Sequence, residues 1–288
     1  MAYPPPDHYL SDLGFHLTLG GEESHVAFEV EATLCAPGGG VLLGVLATAI
    51  DMAAGSLSAR HAAPEWVATS DIAIDLVDPI EPGPARVDCR LGRRGRALVS
   101  LDLDLHGGHA AGSPRRGLAT AAFAVLPNPG RDQGGRRGHD PGGRESGGAG
   151  GPESGGSAAR ENGGTRDVSS HPPSARAALP LHERLGIRTL EGAAGTVEAE
   201  LADYVRNTFG ALQGGVVAVL GEAAILAATG RPLSALAVRY RTLGRHGPFR
   251  AEAEVVSGGL GGVARAVVRD QGARGAVVAV AIGRSASR

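Results

Sequence analysis

The chain has 288 residues, enough for one large domain or two ordinary ones. Its formal net charge is only -2, so the balance does not suggest a nucleic-acid polyanion or a charged membrane surface as partner. All 28 of its Lys-or-Arg positions are Arg, and with 46 glycines this bias looks more like a GC-rich coding sequence than a functional device.

Aromatics make up 3% of the chain, so Ala, Val and Leu must build the core, and an aryl-stacking pocket is not favoured. Residues 1–12 lack a basic stretch followed by an apolar core, and no run approaches eighteen apolar residues. Neither a secretory leader nor a membrane span is expected, which points to a cytoplasmic protein. Cys35 and Cys89 match neither a disulfide framework nor a zinc pattern, and the ten His residues form no helical ligand pair, so no metal site is expected.

In chain order, Leu13-Gly14 precedes an alternating strand over 25–31, in which Val26, Phe28 and Val30 share one face. A turn and a helix over about 41–59 follow, apolar nearly all round and therefore expected to be buried. Strand-like runs lie near 68–77, 85–91, 97–106 and 117–126, separated by turn residues such as Glu81-Pro82-Gly83-Pro84. Residues 128–178 are rich in Gly and Ser and almost free of large apolar side chains. Such a segment cannot offset its ordering entropy and is expected to be a disordered linker. The same plan then returns: Leu185-Gly186, a strand over 196–201, an apolar helix over 214–229, and strands near 233–243, 249–256, 263–270 and 276–282. Gly258–Gly262 reads as a hairpin loop, since no strand–helix unit surrounds it. The expected domains are therefore 1–127 and 179–288, joined by the linker. One long buried helix against a five-stranded antiparallel sheet, twice over, is an α+β plan.

Across the second turn and helix the chain reads Asn207-Thr208-Phe209-Gly210-Ala211-Leu212-Gln213-Gly214-Gly215, with Glu222 nine residues beyond Gln213. This resembles the motif of PaaI-type hotdog acyl-CoA thioesterases, Asn-x-x-Gly-x-x-His-Gly-Gly followed by an acid, with Gln in place of the His. The resemblance covers residues 179 to about 285. Counting back from Asp51 puts the first half in the same frame: Gly39 and Gly44 keep two glycines, while Ala36 and Leu42 replace the Asn and His and Leu43 replaces a Gly. Thr69 falls where related enzymes place a hydroxyl; its counterpart is about Leu233, beside Ser234.

The resemblance implies two hotdog domains, each an antiparallel sheet wrapped around one long central helix, paired as a pseudo-dimer that could dimerise further. It implies sites that straddle the pair, with the turn from one half and the acid from the other. One composite site would join Asn207, Gln213, Gly214 and Gly215 to Asp51 and Thr69. The other would join Glu222 to a turn that has lost its polar groups, leaving Glu222, Gly39 and Gly44 vestigial.

The implied reaction is hydrolysis of an acyl-CoA or acyl-carrier thioester. Coenzyme A would enter only as part of the substrate, with no separate cofactor. The N–H groups at the helix start would stabilise the developing oxyanion. Asp51 would activate water or attack directly. Gln213 keeps hydrogen bonding but cannot exchange a proton as His could, so its role would be positioning. Arg90, Arg93, Arg94 and Arg96, or Arg239, Arg241 and Arg245, could meet substrate phosphates or simply form solvated faces. Hotdog hydratases typically place a His five residues after the Asp; here those positions are Ser56 and Ala227, which argues against hydration. A non-catalytic acyl-binding protein is the remaining alternative, since neither half keeps the His.

Overall fold

The computed structural model describes residues 4–110, 112–128, 173–258 and 261–285. The first half runs α1 (Tyr9–Asp12), β1 (His16–Leu19), β2 (Glu23–Val30), α2 (Leu43–Ala62), β3 (Trp66–Leu76), β4 (Gly83–Arg94), β5 (Leu98–His106) and β6 (Arg115–Leu126). The second repeats it as α3 (Leu181–Arg184), β7 (Arg188–Thr189), β8 (Thr196–Ala199), α4 (Gly214–Thr229), β9 (Leu233–Tyr240), β10 (Phe249–Gly258), β11 (Gly261–Asp270) and β12 (Ala276–Ser285). Each half has six strands among the described residues, one more than the sequence pattern shows. The extra strands, β1 and β7, are four and two residues long. Alternation cannot be read over so short a span.

All twelve strands form one antiparallel sheet in the order β1-β2-β4-β5-β6-β3-β9-β12-β11-β10-β8-β7. The halves meet at β3 and β9, where Ala73 lies opposite Ala237 and Asp71 opposite Arg239. Each six-stranded half wraps its own long helix, and the two hotdogs pair as a pseudo-dimer. The β10–β11 hairpin pairs Gly258 with Gly261, as a hairpin loop requires; residues 259–260 lie outside the described residues.

Both long helices are buried, as their all-round apolar surfaces demand. Val45, Leu46, Ala49, Ile50, Ala53 and Leu57 of α2 and Ala218, Val219, Leu220, Ala224 and Ile225 of α4 are shut away from solvent. Helix α2 starts at Leu43 rather than 41 because the preceding backbone is already engaged. Val41 N–H donates to Ile80 O (2.9 Å) and Leu42 N–H to Leu34 O (2.9 Å). The helices cross near their N-termini. A Cβ on Gly44 would lie 2.7 Å from Val219 Cα, and one on Gly215 would lie 2.6 Å from Thr48 Cβ. Glycine at both points is therefore a steric requirement of the crossing.

Two buried polar locks tie the halves together at pseudo-equivalent positions. Asp12 accepts from Tyr204 Oη (2.7 Å), Ser174 N–H (2.6 Å) and Ser174 Oγ (2.7 Å). Arg184, with its side chain 1% exposed, donates to Thr33 Oγ1 (2.6 Å), to Leu179 O (2.6 Å) and to Ala177 O, with Glu31 at 3.7 Å. Asp12 and Arg184 each precede Leu-Gly, and Thr33 and Tyr204 occupy matching places before the turns. The two halves have thus diverged into complementary partners.

The end of the expected linker is built into this lock. Within the stretch read as linker, Ala175–Ala178 forms a 3-10 turn and Ser174 is held by Asp12. Asn128, at the other end, donates to Glu65 and to Pro64 O. Residues 129–172 of that stretch lie outside the described residues. Cys35 and Cys89 are free. Among the described residues no helix is long and apolar enough to cross a membrane, and no His/Cys/Asp/Glu cluster could hold a metal ion.

Arg184→Ala would remove three hydrogen bonds made by one guanidinium and leave the buried Ala177 O without that donor. A stability loss on the order of 3 kcal/mol is expected from the lost bonds, read as a lower urea midpoint with an unchanged slope.

Candidate active site

The turn before α4 is shaped by Asn207. Its Oδ1 accepts from Phe209 N–H (2.9 Å) and Ala211 N–H (3.0 Å), while Asn207 N–H donates to Ala211 O (2.7 Å). Gly210, at φ 69, supplies the left-handed residue that closes the turn. The first half repeats the pattern without the polar side chain: Ala36 N–H donates to Gly40 O (3.0 Å), and Cys35 pairs with Val41 as Arg206 pairs with Leu212. Here the left-handed residue is Gly38, not Gly39. Gly39 faces Pro232 instead, where a Cβ would approach to 3.1 Å.

Gln213 caps α4. Its Oε1 accepts from Gly215 N–H (2.5 Å) and Val216 N–H (3.2 Å). This revises the expected roles of two residues. Gly215 offers no free donor to a ligand, because its N–H is spent on Gln213 and its Cα is pressed against Thr48. Asn207 Oδ1 is likewise consumed by the turn, which leaves only its Nδ2 to face a ligand. Gly214 N–H is the helix-terminal donor without a protein acceptor among the described residues.

Asp51 reaches this point from α2 of the other half. A Cβ on Gly214 would lie 3.1 Å from Asp51 Oδ2 and 3.8 Å from the Tyr240 ring, so the space beside Gly214 opens toward the carboxylate. Thr69 Oγ1 donates to Asp51 Oδ1 at 2.6 Å. A β-bulge at Ser70, where Thr69 pairs with Phe123 and Asp71 with Ala122, sets the local twist at Thr69. The second half has its bulge at Ser234, where Leu233 takes the place that Thr69 takes beside Ser70. Burial pushes the Asp51 carboxyl up to about 6, against the pull of the Thr69 hydrogen bond.

A cavity of about 750 Å³ surrounds these groups. Its lining includes Asp51, Thr69, Asn207, Gln213 and Gly214, and apolar side chains such as Leu10, Leu17, Met52 and Val217. Phe209 and Tyr240 also line it, so two of the few aromatics stand where their scarcity argued against them. Phe209 leans on Trp66 of the other half, ring centroids 5.3 Å apart. Tyr240 was legible in principle: it shares the phase of Leu236 and Val238 on β9, and an inward tyrosine needs a partner for its hydroxyl.

The twin position is closed. Glu222 sends Oε1 to Leu43 N–H (2.9 Å) and Oε2 to Gly44 N–H (2.7 Å), saturating the N-terminus of α2. It is 1% exposed, and burial pushes its carboxyl up to about 7 although both N–H groups pull the other way. Leu42, the N-cap, supplies no side-chain bond. Of the arginines considered for substrate phosphates, Arg90 pairs with Asp104 and Arg94 donates to His61 O; neither these nor Arg93 and Arg96 line the cavity. Arg239 faces Asp71 and Arg245 holds Phe209 O, while Arg241 is part of the lining.

The fold is that of two paired hotdogs, with a cavity beside the start of α4 and a carboxylate capping the start of α2. Residues 38–109 match the family described as Thioesterase superfamily. No curated protein matches the chain in sequence. Among solved structures it resembles a 12:0-ACP thioesterase from Umbellularia californica (TM-score 0.58, 10% identity, 92% of this chain and 94% of that one). It also resembles an acyl-ACP thioesterase from Bacteroides thetaiotaomicron (0.54, 12%, 91% and 97%). A third likeness is to a hot dog fold protein from Alicyclobacillus acidocaldarius (0.55, 15%, 97% and 99%). These likenesses span nearly the whole chain and establish the double-hotdog fold.

Gly214→Ala would place a methyl group between the helix end and Asp51. Binding of an acyl thioester should fall at least about tenfold, a loss of ~1.4 kcal/mol, with little change in thermal stability. Calorimetric titration beside a melting curve checks both.

Proposed function

We propose that the chain hydrolyses acyl thioesters, borne on coenzyme A or on an acyl carrier, at one composite site of PaaI type between its halves. The observation that carries this reading is the contrast between the two pseudo-equivalent acids. Glu222 reaches the helix end opposite it and saturates two N–H groups. Asp51 is one methylene shorter, makes no such bonds, and leaves Gly214 N–H facing a cavity.

In this reading the thioester carbonyl accepts from Gly214 N–H, where the positive end of the α4 dipole favours the oxyanion. Such a donor contributes about 3–4 kcal/mol to the transition state. Asp51, held by Thr69 on Oδ1, takes a proton from water as the water oxygen attacks the carbonyl carbon. The tetrahedral adduct then collapses, the C–S bond breaks, and the thiolate leaves with the proton that Asp51 returns. A group with a pKa of about 6 is ionised at neutral pH yet basic enough to serve. Gln213 fixes the helix end, Asn207 fixes the turn, and the apolar lining receives the acyl chain. Coenzyme A or pantetheine enters as the substrate's own thiol. The filled site at Glu222 is a helix cap, so each tandem chain carries one working site.

A thiol-release assay over a panel of acyl-CoA and acyl-carrier thioesters tests this. Asp51→Asn should lower turnover by about 100-fold or more, a general-base loss. Glu222→Gln should leave turnover near wild type while lowering stability. Activity that survives Asp51→Asn, or that disappears only in Glu222→Gln, sinks the proposal.

The pH dependence follows from sign. Asp51 works only when ionised, so kcat/KM should be flat above pH about 7 and fall tenfold per unit below pH about 6. Thr69→Val removes a hydrogen bond that favours the ionised form, so its acid limb should move to higher pH. The same shift affects folding. The folded-state pKa lies above the unfolded one, so wild-type stability declines as pH rises from about 4 through 6. At pH 8 Asp51→Asn should be the more stable protein by up to about 2–3 kcal/mol, a difference that closes below pH 4. Chemical denaturation at the two pH values measures it.

A further inference from the structure

We propose that Tyr240 is a positioning residue of this site: it clamps the Gly214–Gly215 peptide and so fixes the backbone beside the Gln213–Gly214 peptide, whose Gly214 N–H is aimed into the cavity. This rests on the thioesterase reading above. The case begins with a weakness in the sequence. An oxyanion donor must be held rigidly before the charge develops, yet α4 opens on Gly214-Gly215, the most pliant pair a helix can start with. Both glycines have steric reasons: Gly215 packs on Thr48, and Gly214 opens the slot beside Asp51. Rigidity must therefore come from other residues.

Two groups supply it from opposite sides. Gln213 Oε1 holds Gly215 N–H and Val216 N–H. Tyr240 Oη donates to Gly214 O at 3.0 Å, and its ring lies 3.8 Å from where a Gly214 Cβ would sit. The resulting chain runs from the Tyr240 hydroxyl through the Gly214 carbonyl to the Gly215 N–H and on to Gln213. Hydrogen bonds linked through one peptide group reinforce one another. Tyr240 stays a donor throughout the working range, because burial and the nearby Asp51 carboxylate hold its hydroxyl proton in place.

The distribution of this tyrosine matches that of the other site groups. Counted from the bulges at Ser70 and Ser234, the counterpart of Tyr240 is Leu76, which has no hydroxyl. Asn207, Gln213 and Thr69 likewise face Ala36, Leu42 and Leu233 in the other frame. Tyr240 thus occurs where the open site needs it and is missing where Glu222 fills the twin.

The test is Tyr240→Phe in the full chain, which keeps the ring and removes the hydroxyl. The readouts are kcat and KM on the thioester that the wild type turns over fastest, the melting temperature, and the infrared carbonyl stretch of a bound ketone analogue with CH2 in place of sulfur. The expected result is a fall in kcat of about tenfold, with KM within about twofold and the melting temperature nearly unchanged. The ketone band should return toward its frequency in free solution. An unchanged kcat and band overturn the proposal. So does a loss of activity that comes with a collapsed melting temperature and a KM rising in step, since the hydroxyl would then serve the fold as a whole rather than the donor. A wild-type chain that turns over no thioester and binds no ketone analogue fails the thioesterase reading itself, an outcome distinct from a silent Tyr240→Phe.

Discussion

The structure depends on the place where two buried helices cross. Because α2 and α4 are apolar all round, neither can be exposed, and each must be covered by the sheets and by the other helix. The crossing brings each helix N-terminus against the middle of its partner, where the acids Asp51 and Glu222 lie. Gly44 and Gly215 permit that approach: a methyl at either position would meet Val219 or Thr48 well inside contact distance. The same close packing therefore supplies the core and places a carboxylate opposite a helix dipole twice over.

What separates the two placements is small. A glutamate reaches across the gap and satisfies two N–H groups; an aspartate stops short and leaves a donor, an acid and space between them. The first arrangement stabilises a helix end. Burial disfavours the charge of both acids, but the second arrangement leaves its carboxylate clear of the helix end and beside a cavity, where it suits a base at neutral pH. The supporting groups follow the same division, with Thr69, Asn207, Gln213 and Tyr240 gathered on the open side. The Asp12 and Arg184 locks are also unlike each other, an acid in one half and a base at the matching place in the other.

Much of this was readable along the chain. The repeated order of strand, helix and four strands follows from two periodicities, the all-round apolar helices from composition, and the frame relating Asp51 to Glu222 from motif spacing. The correspondence of Thr69 with Leu233 came out of the same counting, and each of the two precedes a bulge. Other features were not legible. The edge strands β1 and β7 are too short to show a pattern. Ser174 is a polar residue in a Gly-rich stretch until Asp12, 162 positions away, gives it a partner. Gly215 reads as part of a catalytic motif, but its N–H and its Cα are both occupied, by Gln213 and Thr48.

By itself, then, the sequence determined local order and repetition: which segments alternate, which are apolar on every side, and which residue types recur at matched positions. Those properties arise from neighbours within a few residues. The tertiary structure alone decided which donors stay free, which acid reaches a helix end, and that Tyr240 bonds the Gly214 carbonyl. Each of these turns on small differences in distance between groups far apart in the chain, set by how the two helices pack across the paired sheets.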